Sequence, residues 1–235
     1  MRKRKYDEIR EVRITPHFQK KPYGSVLFQQ GETMVLCSAQ VLESVPDWLK
    51  NENCGWLTAE YSMLPGSTET RVFRDRGHVN GRSKEIERII GRALRASVDL
   101  KKLGQRTVWI DCDVIQADGG TRTASITAGF LALYFAIKKL MAEGKLTENP
   151  IKYQVAAVSV GMVHGVPMLD LSYEEDSQAD VDLNVAMTSD MRFVEIQGTS
   201  EKEPLSEEDL HKLLALAKKG IAELLKIQKE VMDNV

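Results

Sequence analysis

Cysteine is scarce in this chain, and the three present stand apart: Cys37, Cys54 and Cys112 form no C-x-x-C pair. An odd, scattered set excludes a disulfide framework and suits a reducing cytoplasm. The four histidines (His17, His78, His164, His211) share no metal-ligand spacing, so no zinc site is outlined. No apolar run approaches ~18 residues, and no apolar segment follows the basic N-terminus. The expectation is a soluble cytoplasmic protein with no membrane association. A strong excess of one charge is also lacking. With 32 basic and 34 acidic residues the formal net charge is −2, so any nucleic-acid partner must meet a local basic patch. Linker-like and low-complexity stretches are absent. A chain of 235 residues, 43% hydrophobic and 28% charged, is globular and can bury a sizeable core as one large domain or two small ones.

Against this plain background stands Gly119-Gly120-Thr121-Arg122-Thr123-Ala124-Ser125. Two glycines allow a tight turn and close backbone approach to a ligand. Thr123 reads as the N-cap of the apolar, helix-periodic run that follows. The first turn of such a helix offers unpaired N–H groups and the positive end of its dipole, which suits an anion. Arg122 adds a planar charged fork, and Thr121, Thr123 and Ser125 add hydroxyls. No Gly-Lys-Ser/Thr follows, so this is not a Walker loop. The residues describe a small-oxyanion pocket; the alternative is an ordinary strand–turn–helix connection with a solvated arginine.

Around that turn the pattern reads in order. Residues 2–13 carry Arg2, Lys3, Arg4, Lys5, Arg10 and Arg13 against Asp7, Glu8 and Glu11, either an RNA-facing arm or a solvated edge strand. Ser25–Phe28 and Thr33–Val41 form a hairpin, and Trp48 and Trp56 pack the loop after it. Leu57–Leu64 is a strand entering a loop with Arg71, Arg74, Arg76 and Arg82. Phe73 is the one aromatic among them, so phosphate-backbone tracking fits that loop better than base stacking. From Ser83 the period is helical, with Gly104 as the C-cap. Val108–Val114 is a strand with Asp111 and Asp113 on one face, for which structural pairing with basic residues ranks first. Ala124–Met141 is apolar on more than one face and belongs in the middle of the fold. Val155–Val163 and Val166–Tyr173 form a second hairpin. An acidic stretch follows, in which Asp180, Asp182 and Asn184 share a strand face suited to Mg²⁺ or acid–base work, with a plain acidic edge as the alternative. Arg192–Gln197 is a strand closing at Gly198-Thr199, and Ser206 caps a last amphipathic helix. Strands, helix, strand, helix, strands, helix point to an α+β or mixed α/β fold.

In this order the pieces resemble the ribonuclease PH family, the phosphorolytic 3′-exoribonucleases of bacteria. The resemblance runs from about Gly24 to Gln228 and rests on specific runs. These include Gly55-Trp56-Leu57-Thr58-Ala59-Glu60-Tyr61, Met63-Leu64-Pro65, Gly81-Arg82-Ser83 and Gly91-Arg92-Ala93-Leu94-Arg95. The longest runs from Asp111 to Ile126, followed by Glu175-Asp176-Ser177, Asp182-Leu183-Asn184 and Gln197-Gly198-Thr199. It implies a ribosomal-protein-S5-domain-2-like βαβα fold, as a single domain over residues 1–235 with a core about 10–140 and a C-terminal part about 155–228. It implies a homo-hexamer built as a trimer of dimers, acting on the 3′ ends of tRNA precursors. Inorganic phosphate would attack the terminal phosphodiester and release a nucleoside 5′-diphosphate, reversibly. On the matching positions, Arg82, Gly120, Thr121, Arg122, Thr123 and Ser125 would bind phosphate. Asp182 would be the general acid with Asp176 as its partner, through Mg²⁺, and Arg71, Arg74 and Arg76 would line the RNA path. The chain departs from the family at Gly66, where an arginine is usual, in a shorter loop between Arg71 and Arg82, and at Lys3, which replaces a glycine. Two other readings stand beside this one. A catalytically silent exosome-type ring subunit typically lacks the Gly-Thr-Arg turn or the acids, all present here. A small-molecule phosphotransferase would not need the arginine loop.

Overall fold

The computed structural model describes residues 2, 4–74, 81–202 and 204–235. Its first sheet is built from β1 (Val12–Pro16), β2 (Gly24–Gln30), β3 (Thr33–Leu42), β4 (Trp56–Met63) and β5 (Thr107–Gln116), in the order β1-β2-β3-β5-β4. Neighbours are antiparallel except β4 and β5, which run parallel because helix α1 (Gly81–Ala96) carries the chain back between them. The second sheet is antiparallel, in the order β7-β6-β8-β9, from β6 (Val155–Val163), β7 (Val166–Leu169), β8 (Ala179–Thr188) and β9 (Phe193–Ser200). Helix α2 (Thr121–Ala142) packs against both sheets, α3 (Tyr173–Asp176) is one short turn, and α4 (Glu207–Asp233) lies on β6 and β7.

Period and burial agree closely. In β5, Val108, Ile110, Cys112 and Val114 are buried while Trp109, Asp111 and Asp113 are half-exposed, as period-2 alternation requires. Strand β6 is buried almost throughout, as a strand covered on both faces should be. Helix α2 is long and apolar enough to cross a membrane, but most of it is buried inside the fold, where it serves as the core helix. One core cluster joins residues of both sheets and of α1, α2 and α4.

Several expectations are corrected. Helix α1 ends at Ala96, and Gly104 sits in a later turn with φ 68°. Strand β9 runs on to Ser200, so Gly198 and Thr199 lie inside it; a Cβ on Gly198 would fall 1.9 Å from Leu183 Cδ2, and the glycine is there for that close crossing. Strand β7 stops at Leu169, because Asp170 turns with φ 55°. Among the described residues no lysine or arginine pairs with Asp111 or Asp113. Burial raises both pKa values, and Glu60 and Asp113 raise that of Asp111 further. Trp48 and Trp56 do pack their loop, ring edge to ring face, 4.9 Å between centroids.

Helix α2 reaches the first sheet through small residues. A Cβ on Gly24 would lie 2.0 Å from Ala132 O and 2.7 Å from Ala136 N, both backbone atoms of α2. Gly24→Ala must push strand and helix apart, a change that typically costs about 1–3 kcal/mol or more. At this length that is roughly 2–12 °C in Tm. Thermal unfolding of the variant checks it; an unchanged Tm would show that β2 and α2 are not in backbone contact.

Candidate active site

The glycine turn joins β5 to α2. Gly119 and Gly120 both have positive φ, 73° and 67°, and a Cβ on Gly119 would lie 2.4 Å from Leu171 O. Glycine is therefore needed twice over at residue 119, for its backbone angle and for the approach of the Leu171–Tyr173 segment. Gly120, not Thr123, is the N-cap of α2. Thr123 is inside the helix and its hydroxyl donates to Gly120 O at 2.9 Å; the fully buried Ser125 hydroxyl donates to Thr121 O at 2.8 Å. Both hydroxyls are bonded back along the helix, the usual habit of Ser and Thr there, and neither is a free donor for an anion. What faces outward is the first-turn backbone, Thr121 and Arg122.

Arg122 lines a cleft of about 550 Å³ together with Asp176, Ser177, Asp182, Asn184 and Gln197. Its Nη1 donates to Gln197 Oε1 at 3.1 Å, and Gln197 Nε2 donates in turn to Glu85 Oε1 of α1. Asp182 comes from β8, paired with Gly161 on one side and Thr199 on the other. Asp176 comes from α3. Ser172 caps that short helix by a capping box: its hydroxyl accepts from Glu175 N, while its own N–H donates to Glu175 Oε2 at 2.9 Å. The next residue, Tyr173, donates its N–H to Asp118 Oδ1 at 3.0 Å, which ties α3 to the glycine turn.

Both acids hold protons more tightly than an ordinary aspartate. Burial raises the Asp176 pKa and the charge of Asp182 raises it further, against the pull of Arg122, Arg82 and Arg10. Burial also raises that of Asp182, opposed first by Arg122 and assisted by Glu201. Asp180, on the same strand face, is different. Its hydrogen bond to Lys202, 2.6 Å away, holds its pKa down, and it is an ordinary surface pair.

Arg82 lies at the start of α1 in a small neighbouring recess with Tyr61 and Phe73, outside the lining of the main cleft, yet its charge lowers the pKa of both acids. Arg71 and Arg74 are exposed on the segment before α1, and the Arg71 guanidinium lies 5.2 Å from the Phe73 ring centre. Arg76 and His78 lie outside the described residues. The arm arginines Arg2, Arg4 and Arg10 form neither an RNA-facing arm nor a solvated edge, because they are bonded inward to Glu175, Asp170 and Asp118. Sequence reasoning missed Tyr61, whose hydroxyl lies 2.8 Å from Thr121 Oγ1, and Gln197, which orients Arg122. Both sit in runs that mark the family resemblance, the one available signal. Among the described residues no three His, Cys, Asp or Glu side chains gather as a metal site.

The chain matches the family models of the 3′ exoribonuclease family, domain 1 over residues 8–138 and domain 2 over residues 153–220. It is 56% identical over 228 residues to the ribonuclease PH of Syntrophomonas wolfei, covering 96% of this chain and 95% of the relative. It is 56% identical over 236 residues to that of Bacillus pumilus (99% and 97%) and 55% identical over 229 residues to that of Neisseria meningitidis serogroup B (97% and 95%). Its fold is shared with rice Rrp46, at TM-score 0.78 and 18% identity, covering 97% of each chain. It is shared as well with a chain of the Archaeoglobus fulgidus exosome solved with RNA bound to its active site, at TM-score 0.79 and 24% identity, covering 97% of this chain and 91% of that one. The likeness to those solved structures confirms the α+β fold expected of the sequence.

The raised pKa of Asp182 has a stability consequence. Between the ordinary aspartate value and the folded one, the folded state binds more protons than the unfolded state, so stability falls as pH rises through that window. The penalty then persists at neutral pH. Asp182→Asn should therefore be more stable than the parent at pH 7, with a higher Tm. The gain should vanish at a pH below the ordinary aspartate range, where the parent's carboxyl is neutral in both states. Thermal unfolding of both proteins at the two pH values checks this; a variant less stable than the parent at pH 7 would contradict it.

Proposed function

The chain belongs to the 3′ exoribonuclease family and is a phosphate-dependent 3′-to-5′ exoribonuclease of tRNA processing, and we propose that Arg122 and the first turn of α2 hold its attacking phosphate while Asp182 supplies the proton. The observation that carries this reading is the meeting, in one cleft, of a guanidinium on a helix N-terminus with two acids whose pKa values burial raises. The first-turn N–H groups and the Arg122 fork make an oxyanion seat without a covalent nucleophile. A phosphate oxygen forms a bond to the 3′-terminal phosphorus as the bond from that phosphorus to the upstream 3′ oxygen breaks. The departing 3′ oxygen takes a proton from Asp182, whose pKa burial raises toward that of a general acid. The products are RNA shorter by one nucleotide and a nucleoside 5′-diphosphate, and the same seat run backward adds nucleotides from diphosphates. Gln197, braced by Glu85, fixes the direction of the Arg122 fork. Tyr61 fixes Thr121.

Asp176, with Asp182 once it has given up its proton, makes a fitting pair for Mg²⁺. Two hard oxygen donors whose charges are disfavoured by burial and, at Asp176, by its neighbour gain from a cation, and Mg²⁺ commonly takes one or two carboxylates plus water and substrate oxygens. Bound there, it would screen negative charge on the reacting phosphates. Arg71, Arg74 and Arg76 are assigned to the grip on the RNA backbone upstream, and Arg82 to the phosphate. We assign the oligomer as a homo-hexamer of three dimers. Exposed Phe193 and Ile196 on the edge strand β9 support self-association, and a ring pools the arginine segments of several protomers over one RNA.

Initial rates against phosphate concentration, at saturating 3′-tailed RNA, test the assignment. Loss of a charge-assisted hydrogen bond costs about 1.5–3 kcal/mol, or roughly 10- to 150-fold. Arg122→Ala should raise the phosphate KM on that scale while RNA affinity is largely kept, and Arg122→Lys should recover part of it. Asp182→Asn should lower kcat by ~10²–10⁴-fold. Phosphate-independent release of monophosphates, or an unchanged phosphate KM in Arg122→Ala, would place the anion elsewhere.

A further inference from the structure

Arg10 is 7% exposed and does not line the cleft, yet it holds the glycine turn that precedes α2. Its Nε and Nη2 donate to the two oxygens of Asp170, at 3.1 and 2.7 Å, and its backbone N–H donates to Asp170 Oδ2 at 2.7 Å. The rest of the guanidinium turns to the glycine turn: Nη1 donates to Asp118 O, and Nη2 reaches Gly119 O at 3.4 Å. Nη1 also lies 3.6 Å from Asp118 Oδ2, the carboxylate whose other oxygen holds the N–H of Tyr173 at the head of α3. Two glycines make room for this side chain. A Cβ on Gly31 would lie 2.6 Å from Arg10 Cδ, and one on Gly120 would lie 3.2 Å from Arg10 Nη2.

We propose that Arg10 is a positioning residue of the phosphorolytic site, which sets the orientation of the glycine turn through the carbonyls of Asp118 and Gly119. The proposal rests on the reading that phosphate binds at that turn. The physical basis is the planar trans peptide, in which a carbonyl oxygen and the following N–H point to opposite sides. Drawing Asp118 O and Gly119 O onto Arg10 therefore aims the N–H groups of Gly119 and Gly120 away from it. Gly120 is the N-cap, so the same grip sets how α2 begins. Thr33 assists by donating its hydroxyl to Gly119 O at 2.7 Å and accepting from Asp118 N at 3.0 Å, but it carries no charge. Arg10 and Asp118 together also connect the turn to α3 and hence to Asp176. A lysine here would satisfy Asp170 with one point charge and could not reach both carbonyls as well.

Removing Arg10 alone strands the buried Asp170 carboxylate, a change that is strongly destabilising in itself. The informative protein is Arg10→Met/Asp170→Asn. Removing both charges lifts that burden, and asparagine tolerates the left-handed backbone of residue 170 (φ 55°). The intact full-length double variant should melt within a few degrees of the parent and keep its RNA KM within about two-fold, while its phosphate KM rises about 10-fold or more. Arg10→Lys, which keeps the ion pair, should show a smaller rise in phosphate KM. A folded double variant with the parent's phosphate KM would overturn the proposal. If the double variant does not fold, Arg10→Lys with the parent's phosphate KM overturns it instead. Arg122→Ala in the same titration separates the two ideas. A normal phosphate KM there removes the anion from the turn altogether, whereas a raised one beside unaffected Arg10 variants removes only the role of Arg10.

Discussion

An arginine taken out of water is tolerated only where its hydrogen-bonding directions are met, and at Arg10 they are met by two distant parts of the chain. The carboxylate of Asp170 neutralises the charge, and the carbonyls of residues 118 and 119 take the remaining donors. Breaking a buried pair by removing one partner typically costs about 3–5 kcal/mol, so a half-formed arrangement is disfavoured. The N-terminal arm, the glycine turn and the end of β7 are consequently docked together or not at all. Arg2 and Arg4 extend the same clasp. Both hold Glu175, and they reach the carbonyls of Leu169 and Asp170 as well. Burial works against the Glu175 charge, but the Ser172 N–H and these arginines outweigh it and keep its pKa low. The acid next along, Asp176, is more exposed and lines the cleft.

Helix α2 supplies the other half of the geometry. It is apolar almost all round and lies against both sheets, so its axis is fixed by packing on every side. Small residues let strand β2 approach its backbone. Near the first sheet the buried thiols of Cys37 and Cys112 lie against the carbonyl of Ser125. Its axis is thus fixed at the cleft by the core, while the turn in front of it sets how the helix begins, which suits a site that must present backbone N–H groups to a small anion.

Much of this was legible in the sequence, and what was not has a common cause. Strand β5, helix α2 and the turn between them could be read because alternation, helical period and paired glycines are local patterns. The arm arginines read as a solvated or RNA-facing cluster because their acceptors lie more than 100 residues away, and local sequence cannot show a long-range partner. Thr123 and Ser125 read as anion donors because a hydroxyl's direction depends on whether it bonds back along its own helix. Gly104 read as a helix end because any glycine after an amphipathic run resembles one. Asp176 and Asp182 were recognised by resemblance; the rise in both their pKa values emerged only when the fold set them in one cleft. Tyr61 and Gln197 stayed hidden because a tyrosine in a strand and a glutamine on an edge have many ordinary uses.

The span between Arg10 and Asp170 also orders events in time. The arm leaves the ribosome before its counter-ion, from which 160 residues separate it. At ordinary elongation speeds of about 5–20 residues per second, roughly 8–30 s pass before the partner exists. The glycine turn is synthesised within that interval, but until Asp170 follows, the arginine that braces it has no counter-ion, and neither acid of the cleft has yet been added. A growing chain is therefore silent toward the RNAs crowded around its own birthplace, and it becomes a nuclease only when its last third has arrived.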